Sequence, residues 1–195
     1  MTELTPRREA TVTRLVEAAI EQFATHGIDA TSVEQICEAA GFSRGAFYSN
    51  FASKDDLCAA MIQLFQDRLL DALENTITSL PDEAGTEARI EQVLDTVSSV
   101  ISPTPQMTLA LLEIKLRAQR NPELHRRLTE ADERTRPRQV AFIEALADSL
   151  GVRFTLSFDE VLRVFEALFF YNAHCGEASR ARTVMAPLAL ALIKR

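Results

Sequence analysis

Apolar residues recur at the period of an α-helix along almost the whole chain of 195 residues. The clearest stripe steps by three or four residues and comprises Val12, Leu15, Val16, Ala19, Ile20, Phe23 and Ala24. This spacing predicts an amphipathic helix with one buried face, and Gly27 supplies the backbone freedom that ends it. No stretch of any length shows the two-residue alternation of a strand. The pattern therefore predicts an all-α fold of about nine helices.

A short helix is predicted immediately after this one. Either Thr31 or Ser32 can cap it, because Glu34 and Gln35 stand three residues after them. Its buried stripe consists of Val33, Ile36, Cys37 and Ala40. Gly41 then provides a tight turn, since glycine tolerates the left-handed backbone that such turns require.

A second short helix follows the turn. Ser43 can cap it, and Phe47 and Phe51 then face inward one turn apart. The outward positions are small or polar: Arg44, Gly45, Tyr48 and Ser49. A helix, a glycine-containing turn and a second helix with a thin outer face form the helix-turn-helix arrangement, whose second helix fits the major groove of DNA.

Further helices are predicted from Ser53 to the end of the chain. Ser53 can cap a helix of about 27 residues that ends near Leu80 and is about 40 Å long at 1.5 Å per residue. The helices predicted after it cover residues 90–101, 105–120, 122–150, 157–176 and 180–193. The helix after Thr104 is apolar nearly all round and is expected to be buried. Pro137 should kink or break its helix, and Pro187 should bend the last one.

The last two predicted helices are apolar on more faces than one packing partner can cover. In a chain of this size the second partner is expected to be another subunit, which predicts a symmetric homodimer. The tentative interface residues are Leu162, Phe165, Phe169, Val184, Leu188 and Leu192. A two-fold axis also suits DNA, since two identical heads can read the two halves of a palindrome.

The charge of the chain neither supports nor excludes nucleic-acid binding. The formal net charge is −7, and residues 1–54 carry five Lys or Arg against seven Asp or Glu. Arg44 and Lys54 nevertheless lie at helix starts, where the helix dipole also favours anions. Arg7 and Arg8 lie on an N-terminal arm that is either a solvated tail or a phosphate contact. So few cations predict modest non-specific affinity for DNA.

Cysteine usage and the absence of sequence motifs argue against several other classes. Cys37, Cys58 and Cys175 are widely spaced, so neither a disulfide framework nor a zinc site is indicated, and no metal or cofactor is expected. Cys58 could sense electrophiles, but a small buried role is favoured. No signal peptide and no apolar run near 18 residues occurs, so a cytoplasmic protein without membrane contact is expected. No catalytic motif indicates an enzyme.

The stretch TSVEQICEAAGFSRGAFYSNFASKDDL, residues 31–57, resembles the DNA-binding region of the TetR family of transcriptional regulators. The likeness begins at about Thr13. The residues that carry it are the aromatic pair Phe47 and Tyr48, followed by Phe51, Lys54 and Leu57. The resemblance implies a three-helix DNA-binding domain over residues 1–53 and a helical effector-binding and dimerisation domain over residues 54–195. It also implies that the last two helices of each subunit build a four-helix dimer interface.

Arg44 is the expected base reader, because a guanidinium at the start of the recognition helix can pair bidentately with guanine. Gly45 and Ala46 would let the backbone approach DNA closely. The residues expected to contact phosphates, including those at the helix starts, are Thr31, Ser32, Ser43, Tyr48, Ser49, Asn50 and Lys54. The resemblance places the family's tyrosine and lysine phosphate contacts at Tyr48 and Lys54. Many family members carry histidine at the position of Asn50.

The resemblance also implies a small-molecule effector that tilts the long fourth helix and moves the two heads out of register with DNA. The candidate pocket residues, each of which core or dimer packing also explains, are Phe65, Leu69, Met107, Leu111, Phe165, Phe169, Tyr171, Asn172 and His174. Their character favours a hydrophobic or aromatic effector. Glu113 could orient such a ligand, but an i,i+4 ion pair with Arg117 is the favoured interpretation.

Taken together, these patterns predict a dimeric DNA-binding transcriptional regulator that binds a palindromic operator. In this family such a protein is most often a repressor that an effector releases. Two alternatives remain open. One is a helical effector-binding or interaction protein without specific DNA binding, for which the acidic head is the sole support. The other is an enzyme whose site is assembled from scattered residues.

Overall fold

The computed structural model describes residues 6–77, 93, 104–175, 184 and 187–194, with only the backbone at residues 73, 76, 77 and 169–175. Seven helices cover most of these residues: α1 Pro6–His26, α2 Val33–Ala40, α3 Arg44–Tyr48, α4 Lys54–Ile77, α5 Pro105–Arg120, α6 Pro122–Leu150 and α7 Phe158–Cys175. Residues 187–192 are also helical. Within the described part of the chain, extended pairing is limited to one isolated bridge between Phe154 and Ile193. The predicted all-α class is confirmed.

The chain divides into two compact units. The head unit comprises Met1–Phe65 and Thr104–Ala131, and the second unit comprises Gln66–Pro103 and Asp132–Arg195. This partition differs from the boundary between residues 53 and 54 that the sequence indicated. The difference arises because α5 and the start of α6 share the apolar core of the head helices. The assignment of separate functions to residues 1–53 and 54–195 stays a prediction.

One apolar core holds the head unit together. Phe23 of α1 and Phe47 of α3 are among its largest fully buried side chains. The ring centroids of Phe47 and Phe51 lie 5.5 Å apart. Ile114 of α5 and Leu124 of α6 are fully buried in the same core. Burial of each such side chain stabilises the fold by about 1.5–3 kcal/mol, so the recognition helix is anchored by contacts far from it in sequence.

Local capping sets the bounds of α2. The Ser32 hydroxyl accepts a hydrogen bond from the backbone N–H of Gln35 at 3.1 Å, and the Gln35 side chain accepts one from the N–H of Ser32 at 2.7 Å. This reciprocal pair is a capping box, so Ser32 is the residue that caps the helix. Gly41 ends α2 with a φ of 70°, in the left-handed region that glycine tolerates.

The start of α4 is capped in a related way. The Ser53 hydroxyl accepts from the N–H of Asp56 at 3.1 Å. The Asp56 carboxylate accepts from the N–H of Ala52 at 2.9 Å, one residue before the position that a capping box uses. The predicted cap at Ser53 is thus confirmed. The predicted end of this helix near Leu80 lies outside the described residues.

Helix α5 is buried on one face only, which corrects the prediction of a helix buried all round. Its buried residues are Ala110, Leu111, Ile114 and Ala118. Leu109 and Leu116 are 49% and 51% exposed. They lie seven residues apart, or about two turns, and therefore share a face.

The favoured pairing of Glu113 with Arg117 is also wrong. The Glu113 carboxylate accepts a hydrogen bond from the backbone N–H of Ile28 at 3.4 Å. Arg117 pairs instead with Asp29 and Asp55. Both side chains face the connection between α1 and α2, because α5 packs against α1 in the head unit. Local spacing alone could not show that this side of α5 is covered.

The expected break at Pro137 does not occur, since α6 runs from Pro122 to Leu150 as one helix. The proline removes one backbone hydrogen bond. Ion pairs lie on both sides of it within the second unit. Arg136 pairs with Glu166 of α7 at 3.1 Å, and Arg138 pairs with Glu74 of α4 at 2.6 Å.

Two small apolar clusters lie in the second unit. The first contains Val93, Leu150 and Ala189, with Leu146, Val152, Phe165 and Ile193 packed against them. The second contains Leu70 and Phe142, with Leu69, Ile143 and Leu146 packed against them. Leu146 therefore connects the two clusters.

Part of the C-terminal prediction lies outside the described residues. Val93, the described residue within the predicted helix over residues 90–101, is helical. Within the predicted last helix, Val184 and residues 187–192 are helical. Residues 180–183 and 185–186 are not described, so the bend predicted at Pro187 stays a prediction. None of the helices traced among the described residues has the length and apolar character needed to cross a bilayer.

Candidate nucleic-acid interface

The corner between α2 and α3 is fixed by side chains from α1. Arg14 donates a hydrogen bond to the carbonyl of Ala40, the last residue of α2, at 2.8 Å. A cation suits this position because the C-terminal end of a helix is partly negative. The Arg14 guanidinium also lies 4.8 Å from the ring centroid of Phe42. The Ser43 hydroxyl then caps α3 by accepting from the N–H of Ala46 at 3.3 Å.

Arg44, the first residue of α3, forms an exposed pair with Glu34 of α2. One guanidinium nitrogen lies 2.6 Å from the Glu34 carboxylate, and the two side chains are 61% and 54% exposed. The Arg44 guanidinium carbon also lies 5.8 Å from the ring centroid of Tyr48, which is 49% exposed. A hydrogen bond with Tyr48, followed by the charge of Glu34, raises the pKa of Arg44 above its ordinary value. Arg44 therefore stays a cation and is accessible at the outer face of α3.

Arg8 lies beside the end of α3. From the sequence alone it was either part of a solvated tail or a phosphate contact. Helix α1 begins at Pro6, so Arg8 lies on a helix and not on an arm. Its Nε donates to the side-chain oxygen of Asn50 at 2.9 Å. The Asn50 amide in turn donates to the carbonyl of Ala46 at 2.8 Å. Arg8 is thereby held at the end of the recognition helix by a residue 42 positions away.

Two of the predicted phosphate contacts turn inward. Thr31 is 1% exposed, and its hydroxyl donates to the carbonyl of Gly27 at 2.7 Å. The Lys54 ammonium donates to the carbonyls of Ile28 and Thr31 at 2.6 and 2.7 Å. Both side chains thus stabilise the connection between α1 and α2 from inside the head.

The remaining predicted contact residues lie at or near the surface. Ser43, Gly45 and Ser49 are exposed, while Ser32 and Ala46 are half-buried. The Ser49 hydroxyl donates to the carbonyl of Ala46 at 2.9 Å. A Cβ added to Gly45 would meet its nearest atom, the Ser43 hydroxyl oxygen, at an ordinary 3.6 Å. The head itself therefore tolerates alanine at Gly45, and any need for glycine there must come from outside the head.

Helices α5 and α6 hold the base of the head through charged contacts. Arg117 donates to the Asp55 carboxylate at 2.7 Å, and this bond raises the pKa of Arg117. Asn121 donates to the other Asp55 oxygen at 2.7 Å. Arg127 of α6 pairs with Asp56. These contacts fix the first turn of α4 against α5 and α6 inside the head unit.

The two cysteines whose side chains are described are buried in the head core. Cys58 is fully buried, and burial raises the pKa of its thiol to about 12. Burial also raises the pKa of the Cys37 thiol. A protonated, buried thiol reacts slowly with electrophiles because the thiolate is the nucleophile. This supports the buried role of Cys58 over an electrophile sensor.

The tentative pocket and interface residues are distributed over both units. Phe65, Met107 and the buried Leu111 belong to the head unit. Leu69 and Phe165 pack in the two clusters of the second unit, which share Leu146. The side chains at four candidate positions lie outside the description: Phe169, Tyr171, Asn172 and His174. Of the interface candidates, Val184 is 49% exposed, whereas Leu162, Leu188 and Leu192 are half-buried.

Comparison with known proteins places this head in a family. Residues 15–61 match the model of the bacterial regulatory proteins of the TetR family. The "Uncharacterized HTH-type transcriptional regulator YwcC" of Bacillus subtilis (strain 168) is 40% identical over 57 residues, which are 29% of this chain and 26% of YwcC. The "Probable acrEF/envCD operon repressor" of Escherichia coli (strain K12) is 39% identical over 75 residues, which are 37% of this chain and 34% of that protein. The chain thus matches about a quarter and about a third of the length of these relatives.

The fold extends the likeness beyond the matched segment. The transcriptional regulator FadR from Bacillus subtilis, solved in complex with stearoyl-CoA, superposes with a TM-score of 0.66 at 15% identity. The superposition covers 89% of this chain and 97% of FadR. The family match falls on α1, α2, α3 and the start of α4, the segment that forms the helix-turn-helix. Residues 15–61 of this chain therefore carry the helix-turn-helix region of the TetR family of bacterial regulatory proteins.

Proposed function

We propose that this protein is a dimeric, cytoplasmic transcriptional regulator that represses from a palindromic operator and leaves it when a small molecule binds the C-terminal domain. One observation carries the proposal: α3 is capped and anchored by buried Phe47 while it exposes Arg44 and Tyr48. A helix can insert into a major groove when its inner face is buried in the protein and its outer face is exposed and carries small or polar side chains. The match of residues 15–61 to the TetR family supports the same function.

Arg44 reads bases and its neighbours contact phosphates. The guanidinium carries five N–H donors, so a guanine edge can engage two of them. Tyr48 and Ser49 lie on the same exposed face. The Tyr48 hydroxyl donates to a phosphate oxygen, and the Ser49 hydroxyl does so when its bond to the Ala46 carbonyl is exchanged. Arg8, which Asn50 holds by a hydrogen bond, adds a cation. From the sequence alone its role as a phosphate contact was undecided. Lys54 uses two of its three donors within the head and keeps one for a phosphate.

Selection of DNA by the full-length protein tests this function. Random-sequence duplexes are incubated with the protein at about 100 mM salt, and the bound fraction is sequenced. We expect enrichment of an inverted repeat whose half-sites are separated by about one helical turn or a multiple of it. Recovery of no enriched sequence would contradict the proposed function.

Arg8 should contribute one phosphate contact in each head that binds DNA. Arg8→Ala should therefore make the slope of log K against log[salt] shallower by about 0.9 for each such head. The slope is measured by fluorescence anisotropy of a labelled duplex between about 50 and 300 mM salt, a range that brackets physiological ionic strength. Arg7→Ala is the matched control, since it removes the same charge from the neighbouring position. Equal changes in slope for the two variants would contradict a specific contact at Arg8.

Dimerisation is proposed through the C-terminal helices, and Val184 offers the cleanest test. Its side chain is 49% exposed in a single chain, so Val184→Glu should not disturb the fold of one subunit. The wild-type protein should sediment as a dimer and the variant as a monomer, because a buried, unpaired carboxylate is costly at an apolar interface. A variant that keeps the dimer mass would move the interface away from Val184.

The effector acts by favouring one of two arrangements of the two DNA-binding heads in the dimer. An effector that prefers the state unable to bind the operator by about 3 kcal/mol weakens operator affinity roughly 150-fold. The apolar clusters around Leu146 favour a hydrophobic or aromatic effector, as the sequence also indicated. Native mass spectrometry of the purified protein tests for such a molecule, and its titration against the operator complex tests release.

A further inference from the structure

The pair between Glu34 and Arg44 places an acidic residue beside the proposed base reader. Glu34 lies in the first turn of α2, and its carboxylate is 2.6 Å from a terminal guanidinium nitrogen of Arg44. Both side chains are more than half exposed. Neither is held by burial, so the contact is open to any anion or acceptor that approaches α3. Residues 1–54 carry more acidic than basic side chains, so this pair neutralises one of the few cations in that segment.

We infer that Glu34 is a specificity-determining residue. Its carboxylate neutralises the charge of Arg44, which weakens the attraction of Arg44 for phosphates and leaves its remaining donors available to a guanine edge. This inference rests on the proposed DNA-binding function. It assigns to α2 a role in selecting sequence, in addition to the contacts expected from α3.

The discrimination follows from the charge of the two possible acceptors. A phosphate is an anion, so the nearby Glu34 carboxylate repels it and competes with it for the guanidinium. The O6 and N7 atoms of guanine carry no formal charge and are not repelled in this way. The arginine fork has donors beyond the one that Glu34 occupies. A guanine can therefore be bound by the remaining donors while the pair persists, whereas a phosphate that approaches the same donors is repelled by the Glu34 carboxylate.

Loss of the carboxylate should strengthen binding to DNA of any sequence. In Glu34→Gln, Arg44 becomes free to neutralise one additional phosphate in each head that contacts random-sequence DNA. One such contact makes the salt slope steeper by about 0.9 and tightens binding roughly five- to tenfold at about 100 mM salt. Affinity for the selected inverted repeat should change less, about twofold or under, because guanine already holds Arg44 there. The ratio of operator to random-DNA affinity therefore falls.

The matched control is Glu38→Gln. Glu38 is exposed on the same helix one turn later, so its replacement removes the same charge without touching the pair. We expect Glu38→Gln to leave the ratio of the two affinities near the wild-type value. Thermal unfolding of all variants verifies that the head remains folded.

The experiment measures both affinities by fluorescence anisotropy across a salt series, using the full-length protein, the inverted repeat and a random duplex of equal length. In a double-mutant cycle, Glu34→Gln is also made in an Arg44→Ala background. Its effect on the affinity for random-sequence DNA should vanish there if Glu34 acts through Arg44. Equal affinity ratios for Glu34→Gln and Glu38→Gln would overturn the inference, as would an effect that persists without Arg44. A wild-type protein that does not prefer the inverted repeat would instead overturn the proposed function itself.

Discussion

Arg44→Ala should abolish the preference of the protein for its operator while the dimer stays folded. Removal of a bidentate contact with guanine costs roughly 5- to 150-fold in affinity at each half-site. Two half-sites in one operator multiply this loss. The fold should not respond, because the Arg44 side chain is 61% exposed and pairs with an exposed partner. Anisotropy titrations of the operator and of a scrambled duplex measure the effect.

Arg44→Lys provides the control that separates charge from geometry. Lysine keeps the positive charge but lacks the planar fork that matches guanine. Its binding to scrambled DNA should stay near the wild-type value, whereas its operator affinity should fall. If Arg44→Ala keeps the wild-type ratio of operator to scrambled affinity, Arg44 is not the base reader.

Phe47→Ala should unfold the head at much lower denaturant concentration than the wild type needs. Phe47 is fully buried and lies between Tyr48 and Phe51, with ring-centroid distances of 5.3 and 5.5 Å. Truncation of a buried phenylalanine costs about 3–5 kcal/mol of unfolding free energy. This is a large fraction of the stability of a typical domain, about 5–15 kcal/mol. Urea unfolding followed by circular dichroism measures the loss.

The neighbouring aromatic residue supplies the control for this truncation. Tyr48 is 49% exposed, so Tyr48→Ala should cost less than about 1 kcal/mol of unfolding free energy. Both variants should weaken DNA binding, but only Phe47→Ala should do so by loss of the fold. Equal losses of stability would show that α3 is not anchored through Phe47.

The local features of the head could be predicted from the sequence because short-range chemistry determines them. Ser32, Ser43 and Ser53 each cap a helix through bonds to residues three positions away. Gly41 adopts the left-handed backbone of a tight turn. The helical period placed Phe47 on the inner face. None of these inferences needed knowledge of what packs on the head.

The features that the sequence did not reveal depend on contacts between distant residues. Arg8 meets Asn50 across 42 positions, and Glu113 meets Ile28 across 85. The contacts of the Lys54 ammonium with the carbonyls of Ile28 and Thr31 were not predicted, because these residues lie 26 and 23 positions away in the sequence. Pro137 was expected to kink or break its helix, and the structure shows that the helix is not broken there. Local periodicity cannot indicate which elements meet.

The same limitation explains why the compact head unit includes residues beyond the first 53. The resemblance to the TetR family placed α5 in the domain over residues 54–195. Its Ile114 is nevertheless fully buried in the head core, and its Arg117 pairs with Asp29 and Asp55. Any movement of α5 must therefore act on the base of the head.

The most direct test of the central claim is the affinity of the wild-type protein for its selected inverted repeat, compared with the same duplex carrying scrambled half-sites. Both are titrated by anisotropy at about 100 mM salt. Specific regulators bind their sites about 10³-fold or more tightly than unrelated DNA, and we predict a ratio of at least this order. Equal affinity for the two duplexes would contradict the assignment of this helix-turn-helix as a sequence-specific DNA reader.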